Sequence, residues 1–473
     1  MDGLQRLARK ESTFYGDIEM NDFAKPDNLH RGVKMALDTG EAASIDEAYE
    51  LFARYKIGIS TGSVVASSRA HQAALLTMVN AGRRSLLGGV HVFGLPDAPL
   101  LIELPGGQKS LADAVVAMGG TLSDQPTDQM PIVLLGKQEN EGHSSIVLSV
   151  TFDGWRAAVG PVDDLLRLEE GELEVLGAVL AGAMVVSEVF QTLRGHVLAA
   201  RRIVGLSLWS PEIDWRAAQG GPHAFVLPSR LWLVGLGHLG QAYLWTLAML
   251  PFAKPSELEL TLQDFDRLTS SNDSTSMLTQ ASQERRLKTR EMAGWLEARG
   301  FVTHIVERRF DGRLFLGESD PRIALFGVDN SEARARIDEA GFDLVVEAGL
   351  GAGPQEYLTM RIHTFPATVP SLQKWGEVID EKESPKSPAY DSLLESGAVD
   401  ECGLVQLASR TVGAPFVGVI AACLVLAEVF KRLNGIGGLE VIDLNLRAPD
   451  LREAVAANNL DTSWNPGFTT LST

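Results

Sequence analysis

The stretch RLWLVGLGHLGQAYLWTLAML, residues 230–250, decides how the rest of the chain is read. An apolar run at 231–234 leads into Gly235-Leu236-Gly237-His238-Leu239-Gly240, and a helical pattern carrying Leu244, Leu247 and Leu250 follows. A glycine turn between a buried strand and a helix lets the backbone approach a phosphate, and the helix N-terminus turns unpaired N–H groups toward it. About twenty residues on, LELTLQDFD (258–266) is a second strand ending in Asp264 and Asp266, where a carboxylate can accept hydrogen bonds from a ribose. The glycine spacing alone is a weak signal. The strand before it, the helix after it and the acidic end of the next strand point to a bound nucleotide without saying which one.

The following residues narrow the choice. LQDFDRLTSSN places Ser271 and Asn272 just after the acidic strand end, and Lys288 follows in RRLKTREMAGWLEARG. IALFGVDNSEAR (323–334) is a third apolar strand, ending at Asp329-Asn330 with Arg334 one helical turn later. A lysine is a point charge for phosphate oxygens and an asparagine a neutral donor. Mg2+ binds through one or two carboxylates plus substrate phosphates, a part open to Asp329. An ATP-handling enzyme has a use for this set. A dehydrogenase holding NAD through Gly235, Gly237, Gly240 and Asp264 leaves Asn272, Lys288 and Asp329 unexplained.

This constellation resembles the ThiF/MoeB and ubiquitin-activating enzyme superfamily, with its GxGGLG turn, DxDxVxxSNLxRQ, a later lysine and DNxxxR. The resemblance runs from about residue 231 to 434. It implies that Asp264, with Asp266 beside it, holds the ribose, that Asn272 and Lys288 hold the triphosphate of ATP, and that Asp329 serves Mg2+ and the reacting phosphate. One departure stands out: the family arginine after SNL falls on Thr275 in SNDSTS. Arg267, Arg285 and Arg286 are candidate substitutes.

Composition sets outer bounds. The chain has 473 residues, enough for two to three domains, with 45 % hydrophobic and 22 % charged residues. A net charge of −19 argues against nucleic acid and anionic membrane as partners, since both demand a basic surface. No long uninterrupted apolar run and no apolar segment near Met1 is evident, and a cytoplasmic location is expected. Cys402 and Cys423 are the two cysteines, which excludes a four-cysteine zinc site.

The first half reads as helix HQAALLTMVNAG, strand GGVHVFG, helix SLADAVVAMGG, strand MPIVLLG, a β-rich stretch and a long helix, an alternation that implies a parallel sheet. It also looks like a degraded copy of the second half. GAVLAGAMVVSEVFQTLRG (177–195) aligns with VGVIAACLVLAEVFKRLNG (417–435), pairing Ala181 with Ala421, Glu188 with Glu428, Phe190 with Phe430 and Gly195 with Gly435 at one spacing. The copy has no glycine-rich turn before HQAALL, no DxD after VHVFG and no DN after PIVLLG.

The fold expected is therefore α/β, two Rossmann-like ThiF-type halves in tandem, the first degenerate and the second nucleotide-binding. Boundaries are read as 1–200 for the inactive half with an N-terminal helical extension, 201–229 for a linker, 230–446 for the active half and 447–473 for a tail. SIDEAYELFARY is a short helix capped by Ser44 or Asp46. In ubiquitin-activating enzymes the inactive half lends an arginine to the active one, and Arg54 and Arg69 are the candidates here.

Residues 364–411 form a crossover, dense in Pro, Ser and mixed charge, that closes on Cys402. Cys423 sits in the apolar helix beyond and reads as a small core hydrophobe. Cys402 lies where the loop meets the start of a helix, a place that favours thiolates. In activating enzymes of the single-cysteine-loop kind the thioester cysteine precedes an APxVGVI-like helix, as Cys402 precedes APFVGVI (414–420). The resemblance implies activation of a ubiquitin-like protein: ATP-driven adenylation, a thioester on Cys402, then transfer to a conjugating-enzyme-like acceptor, with a homodimer compatible. The alternatives are a ThiF/MoeB-type adenylyltransferase of a sulfur carrier or peptide without an enzyme thioester, an NAD-dependent oxidoreductase, and a non-catalytic scaffold suggested by Thr275.

Overall fold

The computed structural model of the chain describes residues 27–126, 130–138, 144–171, 175–222, 226–351, 353–376, 388–395, 400–457 and 467–469. In the first half the helices are α1 (Arg31–Asp38), α2 (Ile45–Phe52), α3 (Arg69–Ser85), α4 (Leu111–Ala117) and α5 (Leu176–Leu193). The strands are β1 (Lys56–Thr61), β2 (Gly89–Phe93), β3 (Gly120–Leu122), β4 (Ile132–Leu135), β5 (Val147–Phe152), β6 (Arg156–Pro161) and β7 (Val204–Ser207). After β8 (Leu227–Pro228), the second half contains β9 (Arg230–Val234), α6 (His238–Met249), β10 (Glu259–Gln263), α7 (Lys288–Glu297), β11 (Val302–Val306), β12 (Ile323–Phe326), α8 (Ser331–Ala335), β13 (Leu344–Leu350) and β14 (Thr359–Phe365). The crossover carries α9 (Ser371–Trp375), α10 (Pro388–Glu395) and α11 (Glu401–Ser409), followed by α12 (Pro415–Leu433), β15 (Leu439–Asn445), β16 (Glu453–Ala456) and β17 (Phe468–Thr469).

The two large sheets have the same plan. The first runs β3-β2-β1-β4-β5-β6-β7 and the second β11-β10-β9-β12-β13-β14-β15, with β16 added at the edge. In each, five strands are parallel and the later ones antiparallel. Parallel strands covered on both faces need continuous apolar runs, and β4 and β12 are buried at every position. Strands in the two halves correspond in order: GGVHVFG gives β2 and ELTLQ gives β10, while PIVLLG and RIALFG give β4 and β12.

The long helices α5 and α12, which carry the repeated sequence, play the same part in each half. Glu188 accepts a hydrogen bond from the Ala200 amide at 3.2 Å, and Glu428 accepts one from the Leu439 amide at 2.8 Å. Each glutamate thereby fixes the chain returning from its helix into the sheet. α5 and α12 also pack on each other and on α3 and α6, so the helical layers of the two halves form one apolar core. Gly182 permits this approach, since a Cβ there would stand 2.6 Å from the Ala74 carbonyl oxygen. Phe190 meets Phe416 at 5.5 Å between ring centres, and Trp245 donates its indole N–H to Thr77 at 3.1 Å. α5 is long and apolar enough to cross a bilayer, but it is a core helix buried between these neighbours.

Two stretches differ from their sequence reading. The supposed linker 201–229 contributes β7, the edge strand of the first sheet, and its Trp215 packs over Gly205. The crossover is partly built inward: within it α10 buries Ala389 and Tyr390, and the Tyr390 hydroxyl donates to Asp38 of α1, which also holds Lys34 at 2.6 Å. Residues 377–387 and 396–399 of the crossover lie outside the described residues.

Candidate active site at the carboxyl ends of the second sheet

β9 and β12 are neighbours whose following helices leave in different directions, which opens a crevice at the carboxyl ends of the strands. The glycine turn lies there. Gly235 has φ +86, a left-handed conformation that glycine adopts without strain, and a Cβ on it would meet the Gly327 carbonyl at 2.9 Å. A Cβ on Gly240 would stand 2.0 Å from the Gly235 carbonyl oxygen. Gly237 is different: nothing lies within 4 Å of its Cβ position, so the turn faces open space at the N-terminus of α6. An anion could approach the backbone amides there.

The two strand-end carboxylates divide their labour. Asp264 is buried and takes the Leu236 amide at 2.7 Å on one oxygen and the Asp266 amide at 2.8 Å on the other. It holds the glycine turn against the end of β10. Asp266 has a half-exposed side chain and binds Lys288 at 2.9 Å. Lys288 opens α7, where the helix dipole disfavours a cation, and Asp266, with Asp264 at 4.0 Å, offsets that penalty.

Asn272 sits in the short 3-10 turn Ser270–Ser274, where its carboxamide oxygen accepts the Thr269 amide at 2.9 Å. The oxygen is thus spent on the turn, which leaves the amide N–H groups as its donors. Asp329 follows β12 with an exposed carboxylate. Asn330 caps α8 by accepting from Ala333, and Arg334 donates to the Val328 carbonyl at 2.8 and 3.0 Å, fixing the backbone beside Asp329. Glu347 lies within 3.5 Å of Arg334 and pairs with His363 behind it.

Thr275 is buried and supplies no charge. A cation reaches this region from α1 of the first half. The Arg31 guanidinium donates to Ser271 at 3.2 Å, and its backbone amide donates to Ser274 at 3.1 Å. Burial, followed by the nearby Arg410, pulls its pKa down to about 10, while Asp27 and Asp329 oppose that shift. Arg31 is therefore charged near neutrality and lies within electrostatic reach of Asp329. Neither arginine expected from the sequence is so placed. Arg54 is exposed in the turn after α2. Arg69 neighbours Glu103 and Arg299, and Arg299 bonds the Ala248 carbonyl at the far end of α6, about 16 Å along the helix from the glycine turn. The other candidates are also engaged elsewhere: Arg267 on the Arg285 carbonyl and Arg286 on Glu291, while Arg285 is 90 % exposed.

Two further residues had no sequence signal. His238, inside the turn, lies against Gly413 and Gly418 at the start of α12, where a Cβ on Gly418 would meet its ring at 2.6 Å. Burial pulls its pKa down to about 4, opposed by the backbone carbonyls of Pro415 and Ala414, so it is neutral at pH 7 and brings no charge to the turn. Asp273, next to Asn272, is gripped by Arg83 and Arg84 of α3. Cys402 is the second residue of α11, whose first turn is capped by Asp400 accepting from Gly403 at 2.7 Å; its side chain lies outside the described residues. Cys423 is fully buried in α12, where burial pushes its thiol well above the ordinary value, as a core cysteine requires.

At the corresponding end of the first sheet the helix N-terminus is occupied by the chain itself. Ser68 caps α3 and binds His71 at 2.8 Å, His71 reaches Glu170 at 2.9 Å, and Glu170 accepts from Thr151 at 2.8 Å.

Comparison with known proteins fits this two-part plan. The family description "BilD N-terminal domain" matches residues 56–208, and "BilD C-terminal domain" matches residues 227–436. The "Bacterial E1-like protein BilD" of Collimonas sp. (strain OK412) is 45% identical over 418 residues, which is 88% of this chain and 90% of that protein. The chain belongs to the BilD family. Among solved structures, E. coli MccB with succinimide aligns with 49% of the chain at 12% identity and a TM-score of 0.30, and E. coli MccB alone with 52% at 14% identity and 0.33. These alignments span 63% and 66% of the MccB chains, under two thirds of their length. The N-terminal match takes in the whole first sheet and the C-terminal one the second sheet from β9 to β14, with the glycine turn and Asp329 inside it.

Proposed function

We propose that the chain activates the C-terminal carboxylate of a ubiquitin-like protein with Mg·ATP and then takes the acyl group onto Cys402. The kinship to an E1-like protein supports this reading. The observation that carries it is the meeting of the open glycine turn, Asp266 with Lys288, the Asn272 amide and the Arg31–Asp329 neighbours at one end of one sheet. The other half lacks these groups, and its helix N-terminus is filled by Ser68, His71 and Glu170.

In the first step a carboxylate oxygen of the modifier attacks the α-phosphorus of ATP, and pyrophosphate leaves. Lys288 and Arg31 stabilise negative charge on the phosphates, Asn272 donates a neutral hydrogen bond, and the amides of the turn hold the nucleotide in place. Asp266, with its exposed carboxylate, takes the ribose in place of Asp264, which keeps the turn in shape. Among the described residues no group of three His, Cys, Asp or Glu is arranged to hold a metal. Mg2+ would thus rest on phosphate oxygens and Asp329, which suits its habit of keeping waters, and it would neutralise phosphate charge. In the second step the Cys402 sulfur attacks the acyl carbon, AMP leaves, and the thiol proton is lost to solvent or a base. A carboxylate needs the first step because its oxygen is a poor leaving group until it is phosphorylated.

A second reading, a ThiF/MoeB-type adenylyltransferase without an enzyme thioester, is favoured by one feature. Asp400 and Glu401 put two negative charges at the helix terminus that holds Cys402, which opposes an anionic nucleophile. Cys402→Ala separates the two. With a ubiquitin-like protein as substrate, the first reading expects pyrophosphate exchange into ATP to survive and the thiol-labile adduct to vanish on a non-reducing gel. An unchanged product pattern supports the second.

A further inference from the structure

Below the first sheet, at the end of α5 remote from the N-terminus of α3, a cleft of about 760 Å3 opens between the start of β5, the end of β6 and the turn that follows α5. Ile146, Val147 and Val162 give it an apolar floor, and the turn forms a wall. The wall is held in place. Glu188 accepts the Ala200 amide, Arg202 donates to the Arg447 carbonyl, and Ala200 has φ +57, which an alanine adopts only when its surroundings impose it. Despite this order the wall shows an apolar side chain to solvent, Val197 at 72% exposure.

One cation and one anion line the cleft, Arg201 and Asp163. Arg201 is exposed, and its side chain makes no hydrogen bond among the described residues. A nitrogen of His196 and one of Arg202 are buried without a partner among the described residues. Arg202 and Arg447 lie close enough to His196 to depress its proton affinity, after the effect of its burial. Asp163 is the one carboxylate among the residues lining the cleft.

The other half shows what covers the same corner there. Beyond β14 the chain folds back, and Thr368 donates its N–H at 3.0 Å and its hydroxyl at 2.7 Å to Glu440, the residue after the amide capped by Glu428. In the first half the residue after the capped amide is Arg201, and beyond β6 the chain runs instead toward Thr151, where Leu168 and Glu170 bind. The corner is open and its charge is reversed, so it calls for acceptors where the second half uses donors.

We propose that this cleft docks an extended acidic and aliphatic segment of a partner protein, with a carboxylate on Arg201 and aliphatic side chains over Val197 and Val162. The assignment does not depend on the chemistry proposed for the second half.

A random peptide library displayed on phage, selected against the full chain, tests it. Selected peptides are then measured by fluorescence anisotropy against wild type, Arg201→Glu and Val197→Asp, with urea midpoints to show that both surface variants fold and Arg201→Gln as a milder substitute. The expected consensus pairs Asp or Glu with Leu, Ile or Val. Each variant should weaken binding by about tenfold or more, the loss of one good charged or apolar contact, and Arg201→Glu should favour peptides with lysine in place of the acid. Failure to recover binders, or binders indifferent to both substitutions, overturns the proposal. So does light scattering that shows a wild-type dimer made monomeric by the same variants, since the occupant would then be a second copy.

Discussion

Arg84, at the end of α3 in the first half, donates to both the carboxylate and the backbone carbonyl of Asp273, at 2.6 and 2.5 Å, in the turn that carries Asn272 in the second. The same guanidinium reaches the carbonyls of Met277 and Thr279, at 3.1 and 2.8 Å. Arg83 adds a second contact to Asp273 at 2.9 Å. The half without a glycine turn thus sets the shape of a loop at the candidate site. Asp273→Ala leaves Arg84 buried with its counter-charge removed, and breaking such a pair costs about 3–5 kcal/mol. The remaining carbonyl acceptors place the expected loss at the lower end. A shift in the urea midpoint with unchanged slope measures it.

Acid acts on the same joint through His30. Its ring accepts the Gly32 amide at 3.1 Å and donates to the Arg84 carbonyl at 2.9 Å, and burial pulls its pKa down from 6.5 to about 4. Between those two values the unfolded histidine binds a proton that the folded one refuses, so stability is full above about pH 6.5 and falls as pH drops toward 4. Asp273, held down to about 2 by Arg84 and Arg83 against its burial, keeps its charge throughout this window and loses its contribution only in stronger acid. Urea midpoints at pH 7 and pH 5 should differ in wild type, and by clearly less in His30→Gln.

The three glycines of the turn separate folding from binding. Gly240→Ala forces a methyl to 2.0 Å from a backbone oxygen and should unfold the turn, with a loss of several kcal/mol. Gly237→Ala has no neighbour to meet and should change stability by no more than about 0.5 kcal/mol. Its methyl would stand where a phosphate must approach, so Mg·ATP affinity should fall by about tenfold or more. Equal affinity for ATP in wild type and Gly237→Ala, by calorimetric titration, would remove the turn from the site.

Arg31 should matter to the reaction where Arg69 does not. Loss of a donor that stabilises transition-state charge lowers a rate by roughly a hundredfold. Arg31→Ala is expected to slow pyrophosphate exchange by about that factor, Arg31→Lys by less, and Arg69→Ala not at all. A reversed order would return the supporting cation to the end of α6.

Most of the second half's plan is legible in residues 230–334, because buried parallel strands read as short apolar runs and a glycine spacing marks the turn between strand and helix. The repeat of α5 in α12 likewise foretold a second sheet of the same order. What escaped the sequence depends on distance along the chain. Arg31 is the first residue of the short helix α1 and finds Ser271 only through the docking of the halves. Asp264 and Asp266 are equivalent letters at a strand end; only the backbone decides that one binds amides and the other faces Lys288. The crossover gave no helical pattern, and its α10 is held by Tyr390 on Asp38, a contact between opposite ends of the chain.

The account stands on a nucleotide lying across the glycine turn of the second half. A difference map from crystals of the full chain grown with Mg2+ and a non-hydrolysable ATP analogue tests this most directly. It should show phosphate density at Gly237, within reach of Lys288, Arg31 and Asp329, and none at Ser68. Density at the N-terminus of α3, or a turn left empty at saturating nucleotide, would contradict it.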